Sequence, residues 1–265
     1  MSMIHIRDIE LAYDEAGSGP PLIFLHGFPF NRSMWREQAE ALIPDYHVIS
    51  PDLRGHGDTT ATTEPTAMEE MARDVVALMD ALNISRAAIC GLSMGGYVAL
   101  ALCRAFPLRV RALVLADTRA TVDTDEAKLN REQQARRALS EGMAGIADTM
   151  LLKLLAPATL ANRPEVCARI REMMVKTNPT GAAAALRGMA LRVDQTSFLN
   201  RIIAPTLIVV GEHDQITPVA NSELMHREIG GSRLEVIASA GHVANIEEPE
   251  GFNRALLKFL HDLDS

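Results

Sequence analysis

Short apolar runs alternate with amphipathic helical patterns along most of this chain, and that rhythm limits its architecture to a largely parallel sheet covered on both faces. Leu22-Ile23-Phe24-Leu25 and His47-Val48-Ile49-Ser50 are compact runs of the buried-strand kind. A helix is expected from Met68 to Leu82, with Met71, Val75, Leu78 and Leu82 on one face. A strand at Ala87 to Cys90, a helix from Met94 to Phe106 and a strand at Arg111 to Ala116 continue the series. The stretch from Ile4 to Tyr13 alternates apolar and polar residues like edge strands, and Gly17-Ser18-Gly19-Pro20 closes it with a turn. Pro205 to Val210 opens a last group: a strand, a helix near Val219 to Ile229, a strand at Leu234 to Ala238 and a helix from Glu250 to Leu260.

The rhythm breaks between about Thr121 and Leu199. This segment has no clear strand, is rich in Ala, Leu, Met and Arg, and is punctuated by Pro157, Pro164 and Pro179. The expected organisation is a core from residues 1–120 and 200–265, with a helical cap inserted at 121–199. At 265 residues the chain can bury one substantial core.

Open parallel sheets gather reactive groups at the carboxyl ends of their strands. One such end carries Gly91-Leu92-Ser93-Met94-Gly95-Gly96, between the Ala87–Cys90 strand and the Met94 helix. It matches G-x-S-x-G, a strained turn that lifts a serine hydroxyl into a cleft and aims a helix N-terminus at developing negative charge. A chain with 17 glycines and 12 serines contains that pattern by chance about 0.05 times, so its position between strand and helix matters. A nucleophilic serine needs a base and an orienting carboxylate, and in the fold whose elbow this turn resembles they follow the serine in the order Asp or Glu, then His. Asp214 follows the Leu207–Val210 run and His242 follows the Leu234–Ala238 run, in that order. Ser93 is therefore the expected nucleophile, His242 the general base and Asp214 the orienter. Asp117, also at a strand end, is the alternative orienter.

Oxyanion donors are expected from the backbone N–H of Met94 and from His26-Gly27-Phe28-Pro29. Pro29 has no N–H, which leaves Phe28, with Gly27 as the alternative. His26, His56 and His213 lie beside glycine or acidic loop residues and read as structural, and Asp52 and Asp58 read as turn-fixing carboxylates. Met143 and the Leu-rich cap offer an apolar ceiling. Arg119 would meet a substrate carboxylate or pair with Asp123, and Trp35 would pack beneath the His26 loop or line the pocket.

These motifs, with Asp52-Leu53-Arg54-Gly55-His56-Gly57 and Gly211-Glu212-His213-Asp214, resemble in order those of the α/β-hydrolase superfamily. Within it the chain looks most like bacterial carboxylesterases and 3-oxoadipate enol-lactonases, which Arg111-Ala112-Leu113-Val114-Leu115-Ala116-Asp117-Thr118 also resembles. The resemblance implies an α/β-hydrolase fold with a helical lid, a small-molecule ester or lactone substrate, an acyl-serine intermediate and no cofactor or metal. The serine at the elbow disfavours the dehalogenases and epoxide hydrolases of this fold, which use aspartate. Cofactor-free perhydrolases (haloperoxidases), carbon–carbon bond hydrolases and slow-turnover ligand receptors share the serine and stay open as alternatives.

A net charge of −8 and a pI near 5.5 disfavour nucleic acid or an anionic membrane as partner, since both require a concentrated positive face. The N-terminal residues lack a signal-peptide pattern, and no apolar run approaches the ~20 residues of a membrane span. Cys90, Cys103 and Cys167 lack metal-ligand spacing and read as buried free thiols. A cytoplasmic location is the expectation.

Overall fold

The computed structural model describes residues 1–264. Its strands are β1 (Ser2–Ile6), β2 (Ile9–Ala16), β3 (Pro21–Leu25), β4 (His47–Pro51), β5 (Ala87–Leu92), β6 (Val110–Ala116), β7 (Thr206–Gly211) and β8 (Arg233–Ile237). They form one eight-stranded sheet in the order β1-β2-β4-β3-β5-β6-β7-β8. The pairs β1–β2 and β2–β4 are antiparallel. From β4 to β8 every pair is parallel. Consequently the carboxyl ends of β3, β5, β6, β7 and β8 open onto one edge.

The helices are α1 (Arg36–Leu42), α2 (Met68–Ala81), α3 (Met94–Ala105), α4 (Asp125–Glu141), α5 (Ala144–Leu154), α6 (Pro157–Asn162), α7 (Pro164–Val175), α8 (Pro179–Ala190), α9 (Val219–Glu228), α10 (Ala244–Glu247) and α11 (Pro249–Asp264). Successive strand residues feed opposite layers, as the period of two demands. Ile23, Leu25, Ile89, Leu113 and Leu115 pack with Met71, Val75 and Leu78 of α2 and Leu102 of α3. Leu22, Phe24, Cys90, Val114 and Val209 pack with Trp35, Leu42 of α1, and Phe252 and Leu256 of α11. Burying each such side chain contributes about 1.5–3 kcal/mol, so the two faces commit the central strands to a fully covered position. The short helices α1 and α10 had no clear signature in the sequence, being too brief to show a helical period.

Between β6 and β7 the chain forms helices α4 to α8 and, among the described residues, no strand. Thr124 caps α4 by accepting the Ala127 N–H, and Asn178 caps α8 by accepting the Thr180 N–H. Pro157, Pro164 and Pro179 each occupy the first helical turn, where a missing N–H costs nothing. The ends of this insertion meet: Gln195 N–H donates to Ala120 O at 2.9 Å. Buried Asp123 gathers Arg119, Arg131 and Arg192 around the same junction. Among the described residues no helix is long and apolar enough to cross a membrane. Cys90 and Cys103 are buried free thiols, whereas Cys167 is only half-buried.

His26 and His56 lie fully buried beneath the loop after β3, with ring centroids 5.1 Å apart. His26 Nδ1–H donates to Gly27 O, and its Nε2 accepts the Leu53 N–H at 2.9 Å, so the ring is neutral. Burial pushes His26 from the ordinary 6.5 down to about 4, and His56 down to about 3. The unfolded chain therefore takes up protons near pH 6.5 that the native chain refuses until far lower pH. Stability supplied by the pair is complete above pH 6.5 and declines as pH falls toward 4 and then 3. Asp117 and Glu247, raised by burial, act in the opposite sense. The expected outcome is thus differential: urea unfolding of His56→Phe at pH 7, 5.5 and 4.5 should show a shallower acid decline than wild type, by on the order of a few kcal/mol across the window.

Candidate active site

β5 ends against a turn that only small residues permit. Ser93 has φ 53° and ψ −111°, a strained conformation for a residue with a Cβ. Its N–H donates to Ala116 O at 2.9 Å, and its carbonyl accepts the Thr118 hydroxyl at 2.8 Å, so neighbouring β6 holds the turn from both sides. A Cβ on Gly95 would lie 2.1 Å from Leu25 O, and one on Gly91 2.2 Å from Gly95 O. The glycines therefore let α3 start close against β3 and β5.

The loops after β7 and β8 bring two more groups to this edge. His242 Nε2 lies 2.8 Å from Ser93 Oγ, and His242 Nδ1 lies 2.8 Å from Asp214 Oδ2. Asp214 Oδ1 accepts the N–H groups of Ile216 and Thr217 at 2.8 and 2.9 Å, and Oδ2 also accepts the Thr217 hydroxyl at 2.7 Å. Burial pushes the Asp214 carboxyl up, but His242 and these donors outweigh it and hold the group below its ordinary range. An ionised acceptor then faces the Nδ1–H, which leaves Nε2 free to accept the serine proton.

Asp117 is deployed differently. It is fully buried, and its Oδ1 accepts the Gly211 N–H at 2.8 Å, bracing β6 against β7. Burial, with Asp214 nearby, raises its pKa well above the usual carboxylate range. The contact to His242 is made by Asp214.

Among the described residues neither the Met94 N–H nor the Phe28 N–H donates to a protein acceptor. The Gly27 N–H is taken up by Met34 Sδ at 3.4 Å, which favours Phe28 over Gly27 as a donor to an outside group. Met143 is buried in the apolar cluster that also holds Phe28 and Met94. Of the other two pocket assignments, that of Trp35 needs correcting. Trp35 is fully buried, stacked on Phe24 at 4.6 Å and near Phe252 at 6.0 Å; it fills the core, because a large ring gains most by covering the sheet. Arg119 Nη2 pairs with Asp123 Oδ1 at 2.5 Å, since that buried carboxylate needs cations more than a solvated site does.

The structure also supplies residues that motif reading missed. Thr217 shares Asp214 with His242, through a local turn three residues on. Glu247 is fully buried behind the His242 loop, and nothing in Ile246-Glu247-Glu248-Pro249 says which glutamate turns inward. Asp52 accepts the Arg32 and Asp58 N–H groups, as a turn-fixing carboxylate should.

A family model described as the alpha/beta hydrolase fold matches residues 20–249. The chain belongs to the α/β-hydrolase family. It is 32% identical over 252 residues to 3-oxoadipate enol-lactonase 2 of Acinetobacter baylyi, covering 94% of this chain and 92% of that one. A thermophilic esterase from Thermogutta terrifontis, solved with malate bound, is 40% identical with a TM-score of 0.98 over all of both chains. The enol-lactonase from Burkholderia xenovorans LB400 is 30% identical with a TM-score of 0.92, covering 98% of this hydrolase and 100% of the lactonase.

The elbow of this hydrolase makes a direct prediction. Gly95→Ala forces β3 or α3 to shift and should lower the unfolding free energy by about 3 kcal/mol. Exposed Gly230, where a Cβ meets nothing within 4 Å, should accept Ala with a change within about 0.5 kcal/mol. Denaturant unfolding of both variants measures the contrast.

Proposed function

We propose that this α/β-hydrolase cleaves carboxylic esters or lactones through an acyl-serine intermediate. The observation that carries this reading is the unbroken line from Ser93 Oγ through His242 to Asp214, with both contacts at 2.8 Å. Ser93 Oγ attacks the acyl carbon while His242 Nε2 takes its proton. Asp214 keeps the imidazole in the accepting tautomer and stabilises the cation as it forms. The oxyanion of the tetrahedral intermediate is bound by the N–H groups of Met94 and Phe28, each worth about 3 kcal/mol. As the carbon–oxygen bond of the ester breaks, His242 returns its proton to the departing alkoxide. Water then attacks the acyl-serine by the same route, and Ser93 recovers its proton. No metal or organic cofactor enters these steps.

The insertion at 121–199 is assigned as the cap over this site, with Met143 on its apolar side. An ester or lactone substrate agrees with the likeness to enol-lactonases and an esterase at 30–40% identity. The acidic balance of the chain fits a small-molecule substrate better than a nucleic acid.

Ser93→Ala should abolish turnover of short p-nitrophenyl esters and of simple lactones, and full activity in that variant would end the assignment. Asp214→Asn should lower kcat by about 10⁴-fold, because the amide stabilises the wrong tautomer. Asp117→Asn should keep most of the activity; the reverse ranking would make Asp117 the orienter.

A further inference from the structure

Helices α5 and α6 of the insertion are tied to the very loop that carries His242. The His242 N–H donates to Leu154 O at 2.7 Å, at the end of α5. The side chain of Glu247 closes the arrangement from behind. Its Oε1 accepts the Gly241 N–H at 2.7 Å, and its Oε2 accepts the Ala156 N–H at 2.8 Å. Arg163 of the α6–α7 turn donates to the Glu247 carbonyl. The fit allows no slack: a Cβ on Gly241 would lie 2.6 Å from Leu154 O and 2.7 Å from Ala156 N. Glu247 is fully buried, while Glu248 beside it lies at the surface and reaches toward Arg163.

We infer that Glu247 is a positioning residue: its carboxylate joins the Gly241–His242 backbone to the α5–α6 junction of the insertion and so sets where the imidazole stands over Ser93. This rests on the triad reading above. Both oxygens act as acceptors, one for the loop and one for the insertion, so the group works as a two-ended bracket rather than as an acid or base. Gly241 N–H and Ala156 N–H are buried donors with no other acceptor placed for them among the described residues. Gln at this position presents one carbonyl oxygen and one amide NH2, so it serves one donor and turns a donor against the other. The junction at Leu154–Ala156 is accordingly a point at which the insertion is fixed to the His242 loop.

The test compares Glu247→Gln and Glu247→Ala with wild type, using p-nitrophenyl acetate turnover and a serine-directed phosphonate that counts competent Ser93 and times its modification. Displacing an aligned base slows chemistry without weakening substrate contacts. Glu247→Gln should therefore lower kcat and the per-site phosphonylation rate by about tenfold. Its KM should change by less than about twofold, and one phosphonate should still be taken up per chain. Glu247→Ala should lose more than Glu247→Gln. A purely structural role would instead lower the number of competent sites and leave the rate per site at the wild-type value, and that result overturns the inference. If Glu247→Gln does not fold, Glu247→Asp takes its place. Its shorter side chain cannot span both the Gly241 and Ala156 N–H groups, so a fewfold slower per-site rate is expected, and an unchanged rate is the overturning result. Turnover surviving in Ser93→Ala would remove the triad reading and this inference together. A dead Ser93→Ala alongside a wild-type rate in folded Glu247→Gln would remove the inference alone.

Discussion

A parallel sheet whose two faces are both buried has only its edges and strand ends left for chemistry, and this constraint organises the whole molecule. Leu22 and Phe24 fill one layer while Ile23 and Leu25 fill the other, so β3 has no free face to offer a ligand. The same holds for β5 and β6. Because β3, β5, β6, β7 and β8 run in the same direction, the loops after them converge on one rim. Ser93, Asp214 and His242 each stand at such an end, far apart in the chain but within hydrogen-bond reach.

The rim is built under backbone strain, and hydrogen bonds from neighbouring strands sustain it. Ser93 sits at φ 53° and Asp117 at φ 44°, conformations that a free chain would leave. The Ala116 carbonyl and the Thr118 hydroxyl hold the first, and Gly211 N–H meets the side chain of the second. The strands that form the core thus also brace the turns that carry the reactive groups. The insertion joins this framework through Leu154, Ala156 and Glu247. The insertion and the histidine loop therefore share one set of buried hydrogen bonds.

Strand and helix periods, the glycine-rich elbow and the order Ser93, Asp214, His242 were legible because each is local or depends only on sequence order. The two short helices α1 and α10 were not, since four to seven residues show no helical period. Trp35 and Arg119 illustrate a different limit. A tryptophan near a glycine-rich loop and an arginine near a strand end fit either a pocket or a scaffold, and only the folded chain shows that the first stacks on Phe24 and the second pairs with Asp123.

By itself the sequence determined the sheet, the interruption by helices and the residue types able to carry acyl transfer, because hydrophobic period and glycine placement are properties of neighbouring residues. Only the tertiary structure decided which carboxylate serves which partner. Asp214 receives His242, Asp117 braces β7 and Glu247 spans to the insertion, and all three are buried acids near strand ends or the loop behind them. What separates them is the set of N–H and O–H donors that the folded chain aims at each one, and those donors come from segments distant in sequence as well as near.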